Sequence, residues 1–196
     1  MNNNQTPKTI SEKEQETLAF WQENKIFEKS VKTPANEGAR GDFSFYDGPP
    51  FATGLPHFGH ILAGTIKDAI PRYQTMKGNS VRRVWGWDCH GLPIENLIEK
   101  KLGLKSKKDI EDFGIDKFNK DANDSVLTYD AEWKKIVPRL GRWVDMDKPY
   151  KTMDANYTES IWWAWKTLYE KKLAYEGSKM MHICPRCETP LAQSEV

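Results

Sequence analysis

The amino-acid sequence predicts an α/β fold with parallel strands and flanking helices. Three observations predict it: an aromatic strand-like segment at 42–50, an amphipathic helical segment that begins at about His57, and a second strand-like segment at 80–88. Two strands joined through one helix normally lie parallel, with a right-handed crossover. The first strand is expected to end at the Gly48-Pro49-Pro50 turn, because proline lacks the N–H that continues a strand ladder.

The remaining segments are predicted as helices and loops. Ser11, followed by Glu14 three positions later, forms a capping-box pattern that predicts a first helix running to about Glu28. Residues 32–41 are rich in proline and glycine and are predicted as a loop. Further helical patterns cover 91–103, a polar stretch at 107–147 that we expect to lie over the sheet, and 154–177, where Gly177 ends the helix.

Two of these helices carry a continuous apolar face. In the helix that begins at about His57, the face consists of Leu62, Ile66, Ala69, Tyr73 and Met76. In the last helix we expect four side chains to point inward: Ile161, Trp165, Leu168 and Leu173. Pro71 removes one backbone donor from the earlier helix and is expected to kink its last turn. The eight tryptophans are expected to pack in the core.

Composition and charge exclude several classes of protein. The 196 residues hold 29 Lys and Arg against 28 Asp and Glu, so the net charge of +1 creates no overall field that would attract nucleic acid or an anionic membrane. No apolar run reaches the roughly 20 residues that span a bilayer, and no signal-peptide pattern is present, so we expect a cytoplasmic protein without a membrane partner. Three cysteines do not make a disulfide framework.

Two of the four histidines stand three residues apart at the predicted start of a helix. Side chains at this spacing lie on one face, so His57 and His60 can point at the same bound group. Free N–H groups and the helix dipole favour an anion there, and histidine offers a donor in either protonation state. Gly59 leaves room for a flat ring, which favours a nucleoside triphosphate with its base over Gly59 and its phosphates at the histidines. The alternative is a pair that only caps the helix.

Motifs around this helix resemble those of a known family. The stretches YDGPPFATGLPHFGH and GWDCHGLPIE are similar to the amino end of the class I isoleucyl-tRNA synthetases, whose HIGH signature corresponds to His57-Phe58-Gly59-His60. The similarity extends through FWQENKIF and KTMDANYTESIWWAWKTLYEK to CPRCETPLAQSEV. It implies the first half of a Rossmann-like nucleotide-binding catalytic domain. Valyl and leucyl enzymes share the HIGH signature and stay open as alternatives, whereas GWDCHGLPIE favours isoleucine.

The resemblance also implies roles for individual residues. His57 and His60 would assist the attack of the isoleucine carboxylate on the α-phosphate of ATP, which enters with Mg²⁺. The residues that would bind ATP are Thr53, Gly54, His57, Gly59 and His60. Asp88 and the backbone carbonyl of Pro49 would bind the isoleucine ammonium group. For Asp88 the alternative is a local cap, and Cys89 is expected to be a buried packing residue.

Cys184 and Cys187 form a C-x-x-C pair near the end of the sequence. Their spacing is that of a zinc knuckle, but zinc takes four ligands, and His182 is a candidate for a third. The resemblance implies half of a zinc site whose other cysteines follow an editing insertion. A redox pair of the thioredoxin kind is disfavoured, since no helical pattern of that kind follows.

These inferences predict three regions and a partial protein. The regions are an N-terminal helix and loop at 1–41, the first half of the catalytic domain at 42–178, and a C-x-x-C knuckle at 179–196. The family's K-M-S-K-S motif does not stand in these residues, so the chain is expected to be a fragment that is inactive by itself. The full-length enzyme is expected to bind isoleucine, ATP and tRNA(Ile) as a monomer. A different class stays open: a non-catalytic zinc-knuckle module that binds RNA or protein.

Overall fold

The computed structural model describes residues 7–32 and 41–193. The helices are α1 Ile10–Glu23, α2 Ile26–Lys32, α3 Phe58–Met76, α4 Leu92–Leu102, α5 Lys107–Phe113, α6 Ile115–Ser125, α7 Asp130–Arg139 and α8 Ala155–Glu170. The strands are β1 Gly41–Asp42, β2 Asn79–Ser80, β3 Val84–Trp87 and β4 Asp145–Lys151. Within the described ranges no helix is long and apolar enough to cross a membrane. Most of the predicted loop at 32–41 lies outside the described residues.

The chain folds into two compact units. The first unit holds the chain up to Trp87 together with Tyr129–Tyr150, and the second holds Asp88–Thr128 together with the chain from Lys151 onward. Segments that are distant in sequence therefore build each unit. The domain boundaries expected at 41 and 178 stay predictions.

The first unit contains the predicted strand–helix–strand arrangement. β1 pairs with β2 in parallel, with Gly41 opposite Asn79 and Asp42 opposite Ser80, and α3 connects the two strands. The prediction of parallel strands is confirmed, but both predicted strands are too long. The first ladder ends after Phe43, whose N–H donates to the Ser80 carbonyl at 2.9 Å. The second predicted strand divides into β2 and β3, because residues 81–83 leave the ladder.

Three tryptophans form the centre of the first unit. Trp85 and Trp87 of β3 and Trp133 of α7 are buried, with ring centroids 5.3, 5.5 and 5.7 Å apart. Aromatic pairs at such distances stabilise a core by about 0.5–1.5 kcal/mol beyond their buried area. The expectation that the tryptophans pack in the core is confirmed for these three. It is wrong for three others, which lie exposed on α8: Trp162, Trp163 and Trp165.

The N-terminal helix begins before the predicted position. Thr9 and Glu12 form the capping box: Thr9 Oγ1 accepts from the Glu12 N–H at 3.2 Å, and the Glu12 carboxylate accepts from the Thr9 N–H at 2.7 Å. Ser11 lies within the first turn, so the box predicted from Ser11 and Glu14 is wrong. Lys25 has a φ of 49°, a left-handed conformation that separates α1 from α2.

The apolar faces of α3 and α8 are exposed. On α3, Leu62 is 65% exposed and Met76 is 80% exposed. The four side chains of the last helix that were expected to point inward are also exposed: Ile161, Trp165, Leu168 and Leu173. That prediction is wrong because periodicity reports which face of a helix is apolar and not whether another segment covers it. α8 also ends at Glu170 and not at Gly177, with Lys172 at a φ of 57°.

The second unit is built on helices whose ends match their sequence signals. Gly91 and Gly103 bound α4 with φ values of 88° and 72°, as the pattern at 91–103 predicts. Ser106 and Asp109 form a capping box at the start of α5. The polar stretch at 107–147 is helical in α5 and α6 of this unit and in α7 of the first unit, and its last residues begin β4, where no strand was predicted. The core side chains of this unit are Cys89, Ile94, Ile98, Phe118 and Val126.

Candidate active site

The two histidines hold the start of α3 by hydrogen bonds to the backbone. His57 is the N-cap residue, and its Nδ1 accepts from the Gly59 N–H at 3.1 Å. The Nδ1 of His60 accepts from the His57 N–H at 3.2 Å, which completes a reciprocal capping box. Their ring centroids lie 3.7 Å apart, with an angle of 32° between the planes. The capping role that was kept as an alternative is therefore real, and it leaves one nitrogen of each ring for another partner.

The same hydrogen bonds determine which nitrogen carries the proton. Since Nδ1 accepts in both rings, the neutral imidazoles of His57 and His60 carry their proton on Nε2. Each histidine thus supplies one Nε2–H donor at the N-terminus of a helix, where backbone N–H groups and the helix dipole already favour an anion. The arrangement can donate to the oxygens of a phosphate.

The environment of His60 keeps its ring neutral. Burial lowers the pKa of His60 below its ordinary value of 6.5, and the nearby His57 and Lys67 lower it further. At pH 7 the ring is therefore uncharged and keeps the Nε2–H donor described above. A neutral donor stabilises charge that grows on an oxygen without requiring a proton transfer.

Gly59 provides space for the imidazole of His57. A Cβ atom at this position would lie 3.0 Å from Cε1 and 3.1 Å from Nδ1 of His57. A larger residue would therefore press on the ring that caps the helix. The sequence predicts a nucleotide base over Gly59, and that placement stays a prediction.

Trp133 contacts both ends of the histidine segment, residues 54–60, and sequence reasoning missed it. Its Nε1–H donates to the Gly54 carbonyl at 2.8 Å, and its ring meets His60 edge to face with centroids 5.0 Å apart. Trp133 is 2% exposed, so this contact is held inside the core. The residue lies in a stretch of weak periodicity, and only the general preference of tryptophan for the interior pointed to it.

A small cavity lies beside His60 in the first unit. Its volume is about 110 Å³, and its wall includes Trp85, Trp133, Lys67 and Arg142. Pockets that enclose a small-molecule ligand usually measure roughly 300–1,000 Å³. The space beside His60 lies below that range, and the position of the nucleotide expected at the histidines stays a prediction.

The residues expected to bind the amino acid fall in different units. Pro49 belongs to the first unit and is partly buried, whereas Asp88 follows β3 directly and belongs to the second. Asp88 is also partly buried, and its Oδ1 accepts from the His90 N–H at 3.3 Å. This bond is the local cap that was considered as an alternative. Neighbouring Cys89 is buried as expected, and burial raises the pKa of its thiol, which disfavours a nucleophilic thiolate.

The C-x-x-C segment forms a short hairpin in the second unit. Ile183 pairs with Pro190 in an antiparallel bridge, and the N–H of Glu188 donates to the Cys184 carbonyl at 2.8 Å. The backbone N–H of Cys187, 3.5 Å from Cys184 Sγ, and that of Arg186 lower the pKa of the Cys184 thiol. In contrast, the hydrogen bond with Cys184 raises the pKa of Cys187.

This hairpin does not bring together a zinc site. Among the residues that the structure describes, no group of three or more His, Cys, Asp or Glu side chains could hold a metal ion. The zinc site and its third ligand, for which His182 is the candidate, therefore stay predictions. Two cysteines are half of the four ligands that a structural zinc takes.

An α/β unit with donors gathered at a helix N-terminus defines a class of nucleotide-binding proteins. The family model described as "tRNA synthetases class I (I, L, M and V)" matches residues 16–196, and the chain belongs to this family.

Curated relatives narrow the similarity to one amino acid. The chain is 57% identical over 187 residues to isoleucine--tRNA ligase of Treponema denticola and 54% identical over 187 residues to that of Protochlamydia amoebophila. It is 53% identical over 182 residues to isoleucine--tRNA ligase 2 of Pseudomonas fluorescens. These matches cover 95%, 95% and 93% of the chain but only 17%, 18% and 17% of the relatives. The chain therefore spans less than a fifth of their length.

A solved structure supports the same fold. The chain resembles the LeuRS of a crystal structure described as the ternary complex of Agrobacterium radiobacter K84 agnB2 LeuRS-tRNA-LeuAMS, with a TM-score of 0.56 and 26% identity. The match covers 90% of this chain and 20% of that one. The catalytic fold predicted from the sequence, α/β with parallel strands, is thus confirmed at the level of the family.

Proposed function

We propose that the chain is part of an isoleucine--tRNA ligase. The full-length protein would convert isoleucine and ATP into isoleucyl adenylate and pyrophosphate, and would then transfer the isoleucyl group to tRNA(Ile). The observation that carries the proposal is the pair of Nε2–H donors at the start of α3. The names of the relatives, which match over more than nine-tenths of the chain, support the choice of isoleucine.

In the proposed reaction, an oxygen of the isoleucine carboxylate attacks the α-phosphorus of ATP. A bond forms between this oxygen and phosphorus, and the bond from phosphorus to the pyrophosphate oxygen breaks. Negative charge on the α-phosphate oxygens grows in the transition state, where His57 and His60 would donate from Nε2–H. Neither histidine needs to gain or lose a proton, which agrees with the lowered pKa of His60.

The other candidate residues would bind the two substrates. The backbone of Thr53, Gly54 and Gly59 would contact ATP, which enters as its Mg²⁺ complex. The Pro49 carbonyl and the Asp88 carboxylate would accept hydrogen bonds from the isoleucine ammonium, since a charge-assisted bond to an amine is the strongest interaction these groups can offer. Because two cysteines do not complete a zinc site, no step of the reaction is assigned to zinc. The expected monomeric state and cytoplasmic location belong to the same proposal.

Pyrophosphate exchange tests the proposal. In the full-length protein, labelled pyrophosphate is expected to enter ATP when isoleucine is present, and much less when valine or leucine replaces it. Residues 1–196 alone are expected to bind ATP weakly and to show no exchange. Preference for valine or leucine would assign the chain to another member of the family. Tight RNA binding with a steep salt dependence, without any exchange, would favour the non-catalytic module.

A further inference from the structure

Asp47 is a charged residue inside the first unit. It is 3% exposed and comes directly before Gly48 and Pro49. A buried carboxylate is stable only when cations and hydrogen-bond donors replace the water it has lost. The partners of Asp47 therefore reveal what the burial of this charge achieves.

Two cations from separate elements meet the Asp47 carboxylate. Lys67 of α3 lies with Nζ 2.8 Å from Oδ1, and Arg142, which precedes β4, pairs with Oδ2. The guanidinium of Arg142 also lies over the ring of Trp85, 4.9 Å from its centroid. The cation is thereby held against the core, and these three charged groups have a net charge of +1.

The backbone on both sides of the Asp47–Gly48 bond is held as well. The Tyr150 hydroxyl donates to the Asp47 carbonyl, and Lys67 Nζ donates to the Gly48 carbonyl at 2.7 Å. Tyr150 reaches this position because Gly86 has no side chain: a Cβ atom there would lie 2.1 Å from Cζ of the Tyr150 ring. The two carbonyls that precede Pro49 are therefore anchored to α3 and β4.

We propose that Asp47, Lys67, Arg142 and Tyr150 form a positioning network that aims the Pro49 carbonyl at the isoleucine ammonium. The inference rests on the proposed function and deepens it, because it names groups that act through the Gly48–Pro49 backbone and do not touch the substrate. Asp47 has a second effect, which is electrostatic. The negative charge of Asp47 partly offsets the positive charges of Lys67 and Arg142. This lowers the repulsion that the positively charged isoleucine ammonium would meet beside Pro49.

The distance makes this electrostatic effect substantial. One residue, Gly48, separates Asp47 from Pro49, so their Cα atoms are at most about 7.6 Å apart. This is shorter than the Debye length of about 8 Å at physiological salt, so screening is incomplete. Replacing Asp47 with Asn keeps the shape and raises the net charge of the cluster by one. The KM for isoleucine is then expected to rise about tenfold, from Coulomb repulsion at an intermediate dielectric constant.

The experiment measures isoleucine-dependent pyrophosphate exchange in the full-length protein. Asp47→Asn is expected to raise the KM for isoleucine with a much smaller change in the KM for ATP and in kcat. Asp47→Asn combined with Lys67→Met returns the net charge to +1 and is expected to recover part of the loss. Tyr150→Phe keeps the ring beside Gly86 and removes the hydroxyl that donates to the Asp47 carbonyl, so it is expected to raise the isoleucine KM less.

Two control variants are matched to these changes. Asp42→Asn removes the same charge from an exposed position of the same segment, and Tyr46→Phe removes a hydroxyl from the exposed ring that packs on Tyr150 at 5.2 Å. Both are expected to leave the isoleucine KM unchanged. If Asp47→Asn does not fold, Tyr150→Phe still decides the question.

The outcomes separate the inference from the proposed function. Wild-type protein without isoleucine-dependent exchange would overturn the proposed function and the inference with it. Normal wild-type exchange, with an unchanged isoleucine KM in both Asp47→Asn and Tyr150→Phe, would overturn the inference alone. Equal rises in the KM for isoleucine and for ATP would also overturn it, because a general loss of structure would then explain the result.

Discussion

The histidine pair at the start of α3 and the cysteine pair of the hairpin have the same sequence form, two potential ligands separated by two residues. Each histidine ring accepts a hydrogen bond from a backbone N–H two or three residues away, and its second nitrogen takes no part in this capping box. The backbone N–H of Cys187 donates to the Cys184 sulfur, and no third ligand joins the two cysteines in the described part of the chain. The geometry of the histidine pair is therefore set by its own backbone, whereas a metal site at the cysteine pair would need ligands from other segments.

The largest effect is expected when a residue of the histidine pair is replaced, and none is expected beside the cysteine pair. In the full-length protein, His60→Ala is expected to lower the rate of pyrophosphate exchange about a hundredfold, because one donor to the transition state is lost. His182→Ala, which removes a histidine beside the cysteine pair, is the control and is expected to leave the rate unchanged. Equal rates for wild type and His60→Ala would remove this histidine from the mechanism.

Trp133→Phe tests whether the histidine segment depends on the core behind it. The variant keeps an aromatic ring near His60 and removes the hydrogen bond to Gly54, so the free energy of unfolding is expected to fall by about 1–2 kcal/mol. Urea denaturation of the 196-residue chain measures this change. The exposed Trp163 on α8 supplies the control, since its replacement by Phe is expected to leave the unfolding midpoint in place. A midpoint that is also unchanged in Trp133→Phe would show that the bond to Gly54 contributes nothing.

The protonation of His60 gives a smaller but more specific effect. NMR titration is expected to give a pKa for His60 below 6.5, and His57→Ala is expected to raise it only partly, because burial is the larger cause. Since the folded pKa lies below the unfolded one, the stability linked to the neutral ring is complete above pH 6.5 and is lost as the pH falls through the folded pKa. A His60 pKa above 6.5 would contradict the assignment of a neutral donor.

The smallest effect concerns the cysteines. At neutral pH, Cys184 is expected to react with iodoacetamide faster than Cys187, because its pKa is lowered while that of Cys187 is raised. Mass spectrometry of the partly modified chain measures the order. Buried Cys89 is the internal reference and is expected to react last. Faster modification of Cys187 would contradict the directions of the two pKa shifts.

Sequence reasoning succeeded where the signal is local. The glycines that bound α4 and the histidines that open α3 lie next to the structure they determine, so their positions follow from short patterns. It failed where partners are far apart in the chain. Trp133 bonds to a residue 79 positions away, and Tyr150 bonds to one 103 positions away. No periodicity encodes such contacts, which depend on how separate segments pack.

The exposed faces of α3 and α8 illustrate another limit. Their spacing of apolar residues correctly predicted helices, but burial depends on what lies against them. Asp47 shows the opposite behaviour, a polar residue that is buried. A charged residue next to a proline turn is normally expected at the surface. Asp47 is buried because Lys67 and Arg142 converge on it from other elements. Pairing by remote cations overrides the usual preference of aspartate for solvent.

The contact between Gly86 and Tyr150 has a consequence for variation at position 86. Every amino acid other than glycine carries a Cβ atom, and any such atom would overlap the tyrosine ring. The exclusion of side chains at position 86 therefore does not depend on their polarity, size or charge. When this codon is randomised and variants are selected for growth, all replacements of glycine are expected to be depleted. At position 86 the absence of a side chain is therefore itself what the packing of Tyr150 requires.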